Sequence, residues 1–480
     1  MENRESKKST RQGKRRLAVA AVVLPALIAM LCSSCAAGVP EESGAGGTTT
    51  ASGIQATVSG TTEAGGSTAE TTDGGTAATD TQTPPHTQGG TQAEETTAAG
   101  TTAAGTTKGT GATQTPPKTQ AQGTNAPTQS GSAVPAAWQD GGIFSAYYSK
   151  AYARLQAMSV EEKAGQVLLA RCPSTGAAEA AAQFHLGGYV LFGRDFQGKT
   201  ADEVRKTLAS YQAAADIPLM LATDEEGGTV VRVSGNAGIR AEKFRAPQEI
   251  YAAGGLDAIR ADAAEKAALL VSLGVNVNLA PVCDVTSDKS AYIYPRTLGR
   301  GAEETGAYVA AVIKAFHAGN LSGTLKHFPG YGGNADTHTG VAVDSRPLSA
   351  FENGDFLPFE EGIRAGADCV LVSHTIVECL DAEHPASLSP AVHQKLRELG
   401  FTGLVMTDDL AMDAIKKYAE GRDPAVQALL AGNDLLLLDD YAAGYAEILS
   451  ALRAGVIPQE TLDHAVFRVL SWKYARGLLE

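Results

Sequence analysis

Residues 323–330 read Gly-Thr-Leu-Lys-His-Phe-Pro-Gly. A short apolar run, Gly323–Leu325, passes directly into a lysine, a histidine and a Pro-Gly turn signal. Such a run suits a strand buried on both faces, and polar groups directly after it would sit at the strand's C-terminal end. The same pattern recurs on both sides. Val167–Ala170, Tyr189–Phe192, Leu219–Ala222 and Val275–Ala280 precede it, and Val370–Val372, Leu404–Met406 and Leu435–Leu438 come after it. Amphipathic helical stretches lie between the runs. Ser159 with Glu162 and Thr200 with Glu203 have capping-box spacing, and Ser389-Pro390 sets an N-cap before a first-turn proline. A last helix is expected from about Gln459 to Leu479. Eight strand-then-helix units predict an α/β fold, a single (β/α)8 barrel of the TIM type. An open, doubly wound sheet is the alternative that the pattern alone allows.

The barrel accounts for residues 136–480 of the 480. Residues 36–135 are Thr, Gly, Ala, Ser and Gln, with Pro-Pro at 84–85 and 116–117. Such a segment buries too little apolar area to offset its ordering entropy, which predicts a disordered tether. Residues 1–35 look like an export signal. Lys7, Lys8, Arg11, Lys14, Arg15 and Arg16 precede an apolar run, Leu17–Leu31, that is short for a membrane span. Ser33-Ser34-Cys35 resembles the end of a bacterial lipoprotein signal, which makes Cys35 the expected lipidation site. Cys32 stands where such signals usually carry leucine. An ordinary cleaved signal and an uncleaved anchor are the alternatives, and all three export the barrel. The expected location is the extracellular face of the cell membrane, held by a lipid anchor, with the tether reaching into the wall.

A formal net charge of -14 argues against a nucleic-acid partner, which would need a basic surface. No obligate protein partner is evident. Beyond the signal, Cys172, Cys283, Cys369 and Cys379 form no CxxC pair and no zinc spacing; most are expected to be free, buried thiols. No P-loop or HExxH motif is present, and neither cofactor nor metal is expected.

Polar residues gather after the runs. Asp224-Glu225-Glu226-Gly227-Gly228 comes after the third, Asp284 after the fourth, Lys326-His327 after the fifth, Ser373-His374 after the sixth and Asp408-Asp409 after the seventh, while Asp434 opens the eighth. That end of a barrel builds active sites. Glycosidic cleavage needs one group to attack the anomeric carbon and another to protonate the leaving oxygen. Asp408 is the candidate nucleophile, and Asp409 points elsewhere if the strand is still extended there. A helix cap is the structural alternative for either aspartate. His338 is the candidate acid/base, on the glycine-rich stretch from Gly330 to Gly340, with Asp336 two residues before it to orient the ring. A solvated loop histidine is the alternative.

Lys326-His327-Phe328-Pro329-Gly330-Tyr331-Gly332 and then Asp336-Thr337-His338 resemble the signature of family 3 β-N-acetylglucosaminidases. Thr407-Asp408-Asp409-Leu410-Ala411-Met412 is similar to that family's nucleophile motif. Asp224 through Arg232 and Pro295-Arg296-Thr297-Leu298-Gly299 resemble its sugar-binding segments, and Pro385–Pro390 and Ala431–Asp434 add matches. The resemblance runs from about Met158 to Leu479. It implies a retaining exo-glycosidase of the β-N-acetylhexosaminidase type: Asp408 would form the covalent glycosyl-enzyme, and His338 with Asp336 would be acid and then base. Asp224, Arg232, Arg296, Lys326 and His327 would bind the terminal sugar of a β-N-acetylglucosaminide. The expected export and long tether point to peptidoglycan fragments as its source, and an intact wall polymer, a muropeptide, chitobiose or a host glycan could each serve. Tyr331 stands where many members have His, and Glu225 where Gln is common, which bears on fine substrate choice. The family's β-glucosidase branch usually carries a second domain supplying a Glu acid. No such domain is expected after the last helix here, which favours the N-acetylglucosaminidase branch. Other readings remain: a glycoside phosphorylase at the same site, a non-catalytic wall-binding lipoprotein, and a metal site among the rim Asp and His residues.

Overall fold

The computed structural model describes residues 133–333, 342–411, 415, 418, 419 and 421–480. The expected export signal with Cys35, the expected tether up to residue 132, Asp336 and His338 lie outside the described residues.

Eight parallel strands form the centre: β1 (Leu168–Arg171), β2 (Gly188–Leu191), β3 (Met220–Thr223), β4 (Val277–Asn278), β5 (Ser322–Phe328), β7 (Cys369–Val372), β9 (Leu404–Thr407) and β10 (Leu436–Leu438). They pair in chain order. β1 also pairs with β10, and a parallel bridge from Met406 to Leu435 joins β9 to β10. First and last strands therefore meet, which closes a barrel and rules out the open sheet. Two short strands, β6 (Val343–Asp344) and β8 (Ile376–Val377), pair in parallel outside it.

Sequences such as Leu-Val-Met-Thr in β9 and Cys-Val-Leu-Val in β7 are wholly buried. This is expected of strands that face side chains inside the barrel and helices outside it. The helix signals act as their chemistry dictates. Ser159 Oγ accepts from Glu162 N at 3.1 Å while Glu162 Oε2 accepts from Ser159 N at 2.7 Å, and Thr200 with Glu203 repeats the arrangement. Ser389 caps the helix Pro390–Glu398.

Several strand bounds shift by a residue, β4 shrinks from the expected Val275–Ala280 to Val277–Asn278, and two further boundaries differ in ways that matter for the site and the core. β5 continues through Lys326 and His327, which look like loop residues in sequence because their polar side chains face a pocket. The peptide bonds Lys326–His327, Phe328–Pro329 and Ala280–Pro281 are cis. The last helix spans Gln459–Ala475 and stops short of Leu479. Gly477 there has φ +70°, with Leu478 N bonded to Lys473 O and Gly477 N to Tyr474 O. That is a Schellman stop, which apolar periodicity running on into Leu478 and Leu479 conceals.

The helix Gln459–Ala475 lies across the N-terminal end of the barrel. Trp472 Nε1 donates to Ser322 Oγ at the start of β5, and Lys473 Nζ donates to Gln166 Oε1 and Gly187 O, just before β1 and β2. Asp434 belongs to this end, away from the rim where its place beside a strand run had grouped it. It accepts from Val405 N at 2.9 Å and pairs with Arg397 at 3.2 Å. A residue that precedes a parallel strand lies at the N-terminal face, so Asp434 ties strands and helices together there. Cys172, Cys283 and Cys369 are buried free thiols, and Cys379 is a half-buried one.

Candidate active site

At the C-terminal ends of the strands is a cavity of about 210 Å³. Asp224, Arg232, Arg296, Lys326, His327 and Asp408 all line it, so six residues spread over 185 positions converge there because each ends a barrel strand or lies beyond one. Arg171, Phe192, Tyr292, Tyr331 and Asp409 also line it, with apolar side chains such as Leu279 and Leu371 between them.

One wall is a chain of ion pairs. Lys326 Nζ lies 2.7 Å from Asp224 Oδ1 and 2.6 Å from Glu226 Oε1. Arg296 grips Glu226 with two donors, Nε at 2.9 Å and Nη2 at 2.8 Å, the fork geometry that guanidinium and carboxylate share. Arg296 Nη2 also lies 3.0 Å from His327 Nε2. A guanidinium only donates, so His327 faces it with a lone pair and keeps its proton on Nδ1, 2.7 Å from Asp284 Oδ2. Both ring nitrogens are thus engaged. Burial pushes the Glu226 carboxyl up, but Lys326 and Arg296 outweigh it and hold the group far below the usual carboxylate range. Burial likewise works against the Lys326 ammonium, and Asp224 and Glu226 overcome it and raise its pKa. These groups are fixed as charges before any ligand arrives, which is the preorganisation that polar recognition requires.

Asp408 ends the run of β9. Its N donates to Val372 O, and its Oδ1 accepts from Asp409 N at 2.8 Å. Burial raises its pKa, but the His374 ring, the Asp409 N–H and the Lys326 ammonium together lower it. The result is an ionised carboxylate at the cavity wall. Asp409 turns to Arg171, with Nε 2.5 Å from Oδ2, and its Oδ1 accepts from Ala411 N at 3.0 Å. β9 ends at Thr407, so strand alternation does not extend to this pair: both aspartates line the cavity, but their carboxylates have different partners.

Four residues shape the site without having been singled out for a role. Glu226 anchors Lys326 and Arg296. Asp284 holds His327 and also accepts from Tyr331 N at 2.8 Å. His374 Nε2 lies 2.9 Å from the Asp409 carbonyl, which can only accept, so that nitrogen carries a proton. Glu225 is buried and accepts from Arg232 N (2.9 Å), Val233 N (2.7 Å), Ser234 N (3.3 Å) and Ser234 Oγ. It bends the chain so that Arg232 returns to within 3.7 Å of Asp224. The available signal was position: Glu226, Asp284 and His374 each come shortly after a strand run. Nothing local marks a carboxylate as serving another side chain.

Among the described residues no group of three or more His, Cys, Asp or Glu could hold a metal ion, and no described helix is long and apolar enough to cross a membrane.

A closed parallel barrel with an ionised carboxylate in a cavity at its C-terminal rim is the arrangement that a barrel glycoside hydrolase needs. Residues 159–472 match the glycosyl hydrolase family 3 N terminal domain. A beta-hexosaminidase of Xanthomonas campestris pv. campestris is 35% identical over 258 residues, covering 53% of this chain and 77% of its own length. One from Nitrosomonas eutropha is 31% identical over 274 residues, covering 56% and 78%. The solved family 3 beta-N-acetylglucosaminidase of Paenibacillus sp. str. FPU-7 superposes with a TM-score of 0.62 at 30% identity, covering 67% of this chain and 63% of that one. Beta-N-acetylhexosaminidase from Beutenbergia cavernae gives 0.59 at 26%, covering 67% and 99%. The chain belongs to glycosyl hydrolase family 3.

Proposed function

We propose that this protein is a retaining exo-β-N-acetylhexosaminidase that releases terminal β-linked N-acetylglucosamine. The observation that carries the reading is Asp408, a carboxylate kept ionised in the cavity that Asp224, Lys326, Arg296, His327 and Arg232 also line. Asp408 attacks the anomeric carbon as the glycosidic C–O bond breaks, giving a covalent glycosyl-enzyme. His338, oriented by Asp336, donates a proton to the departing oxygen. It then takes one from the water that attacks the same carbon and frees Asp408, so configuration is retained. Asp224 accepts hydrogen bonds from sugar hydroxyls, and Lys326, Arg296 and Arg232 donate to sugar oxygens. The names of the similar proteins, beta-hexosaminidase and beta-N-acetylglucosaminidase, support the choice of sugar. Peptidoglycan fragments are the proposed source, motivated by the export signal, the expected lipid at Cys35 and the long tether.

The test is turnover of an aryl β-N-acetylglucosaminide beside the matching β-glucoside, with and without phosphate. The expected outcome is preference for the N-acetyl sugar, no phosphate requirement, and loss of essentially all turnover in Asp408→Ala with an unchanged melting curve. Activity on the glucoside alone would refute the sugar assignment. Phosphate-dependent release of sugar 1-phosphate would make the protein a phosphorylase.

A further inference from the structure

The described chain leaves the active-site wall at Tyr331–Gly333 and returns at Ala342–Asp344, and a single guanidinium touches both ends. On the return side, Arg346 Nε lies 3.0 Å from each Asp344 oxygen, with Nη2 2.8 Å from Oδ2. On the outgoing side, Gly332 has φ +55°, and a Cβ there would lie 2.6 Å from Arg346 Nη2, so the guanidinium rests against bare backbone. The same group reaches Asp355, Nη1 to Oδ2 at 2.8 Å, and sits 4.4 Å from the Phe351 ring centroid. Asp355 in turn presses on Gly330, where a Cβ would lie 2.5 Å from its Oδ1. A π-helical turn, Phe351–Asp355, brings Phe351 and Asp355 to this point, and such turns are frequent at functional sites. The strand pair β6–β8 fixes Val343 and Asp344 against Ile376 and Val377. Asp284 fixes Tyr331 from the catalytic side.

We infer that Arg346, gripped by the buried carboxylates Asp344 and Asp355, is a positioning residue that clamps the two ends of the segment carrying the acid/base. Among the described residues that line the cavity, Arg346 is absent. Its effect is to fix where the described chain leaves at Gly332 and where it returns at Asp344. This rests on the reading of His338 as acid/base. No other side chain could do it equally: lysine carries the charge but cannot span two carboxylates with a planar fork while lying flat on a glycine.

The experiment measures kcat/KM for Arg346→Lys and Asp355→Asn on a series of aryl β-N-acetylglucosaminides of graded leaving-group ability, with His338→Ala alongside and a melting curve for each protein. Asp355→Asn keeps the volume and an acceptor and leaves Asp344 on Arg346, so it reports even if the first variant does not fold. We expect each clamp variant to lose about 10–100-fold on poor leaving groups and less than about 3-fold on activated ones, because activated substrates need little proton donation. Equal losses across the series, or none, with His338→Ala steeply dependent on the leaving group, would overturn the clamp and leave the acid/base reading standing. A flat series for His338→Ala would overturn both.

Discussion

Glu225 gives both its oxygens to donors: three successive backbone N–H groups and the Ser234 hydroxyl. A carboxylate suits this because it only accepts. In Glu225→Gln the amide NH2 would face N–H groups, and the chain that returns Arg232 to Asp224 would lose part of its support. We expect kcat/KM to fall about 10-fold and stability by about 1–3 kcal/mol, the cost of leaving buried donors unmet. Unchanged kinetics with an unchanged melting point would show that the loop does not depend on the charge. Lys473 has the opposite problem. It is buried at the far end of the barrel on two neutral acceptors, and burial alone pulls its pKa down from 10.5 to about 7. Between those values the unfolded chain binds the proton and the native one does not. Stability from this group therefore rises with pH from about 7 to about 10.5 and is lost as pH falls, at no more than about 1.4 kcal/mol per pH unit. Lys473→Met should flatten that slope in thermal melts taken from pH 7 to pH 10, and an unaltered slope would assign the titration elsewhere.

At the scale of elements, the capping boxes do what their sequence spacing promises, and their contribution can be measured apart from catalysis. Ser159→Ala removes the acceptor for Glu162 N and the hydroxyl that bonds Glu162 Oε2. The expected loss is about 1 kcal/mol, seen as a melting point lower by about 2 °C with kcat/KM unchanged. A fall in activity would mean that this helix, Val160–Gln166, has a reach to the site that its place before β1 does not suggest. β5 is the element where stability and function meet. Its first half, Ser322–Leu325, is barrel core, and its second half supplies Lys326 and His327 to the cavity. The strand thus carries its polar residues on a rigid frame, which a loop could not provide.

For the whole molecule, the boundary of the folded unit is set by packing outside the family match. That match begins at residue 159, yet the structure before it is firmly attached. Trp138 packs on Phe467 and His464, with ring centroids 5.3 and 5.1 Å apart, and Tyr148 packs on Phe467 at 4.9 Å. Arg468 pairs with Asp140 at 3.2 Å, and Ile143 N donates to Thr402 Oγ1. All of these contacts involve the helix Gln459–Ala475 or the approach to β9, at the end of the barrel remote from Asp408. A chain begun at Ser159 would expose the buried Phe467 and leave Arg468 with less charge compensation. It should melt at least about 5 °C below one begun at Val134, since several buried side chains worth about 1.5–3 kcal/mol each are uncovered. Equal melting points would mean that the segment merely rests on the barrel.

The eight strand runs, the helix caps and the rim positions of Asp224, Lys326, His327 and Asp408 could be read from sequence because each depends on local order: apolar length, cap spacing, and polar residues placed directly after a strand. Closure of the barrel could not, since it depends on β1 meeting β10 across some 270 residues. The same limit explains Asp434, whose position beside a strand run gives proximity but not which end it occupies. It explains Glu225, Glu226, Asp284 and Arg346 as well. Their work is to hold other side chains, and a residue's partner is decided by which segments the fold brings within a few ångströms, not by its neighbours in the chain.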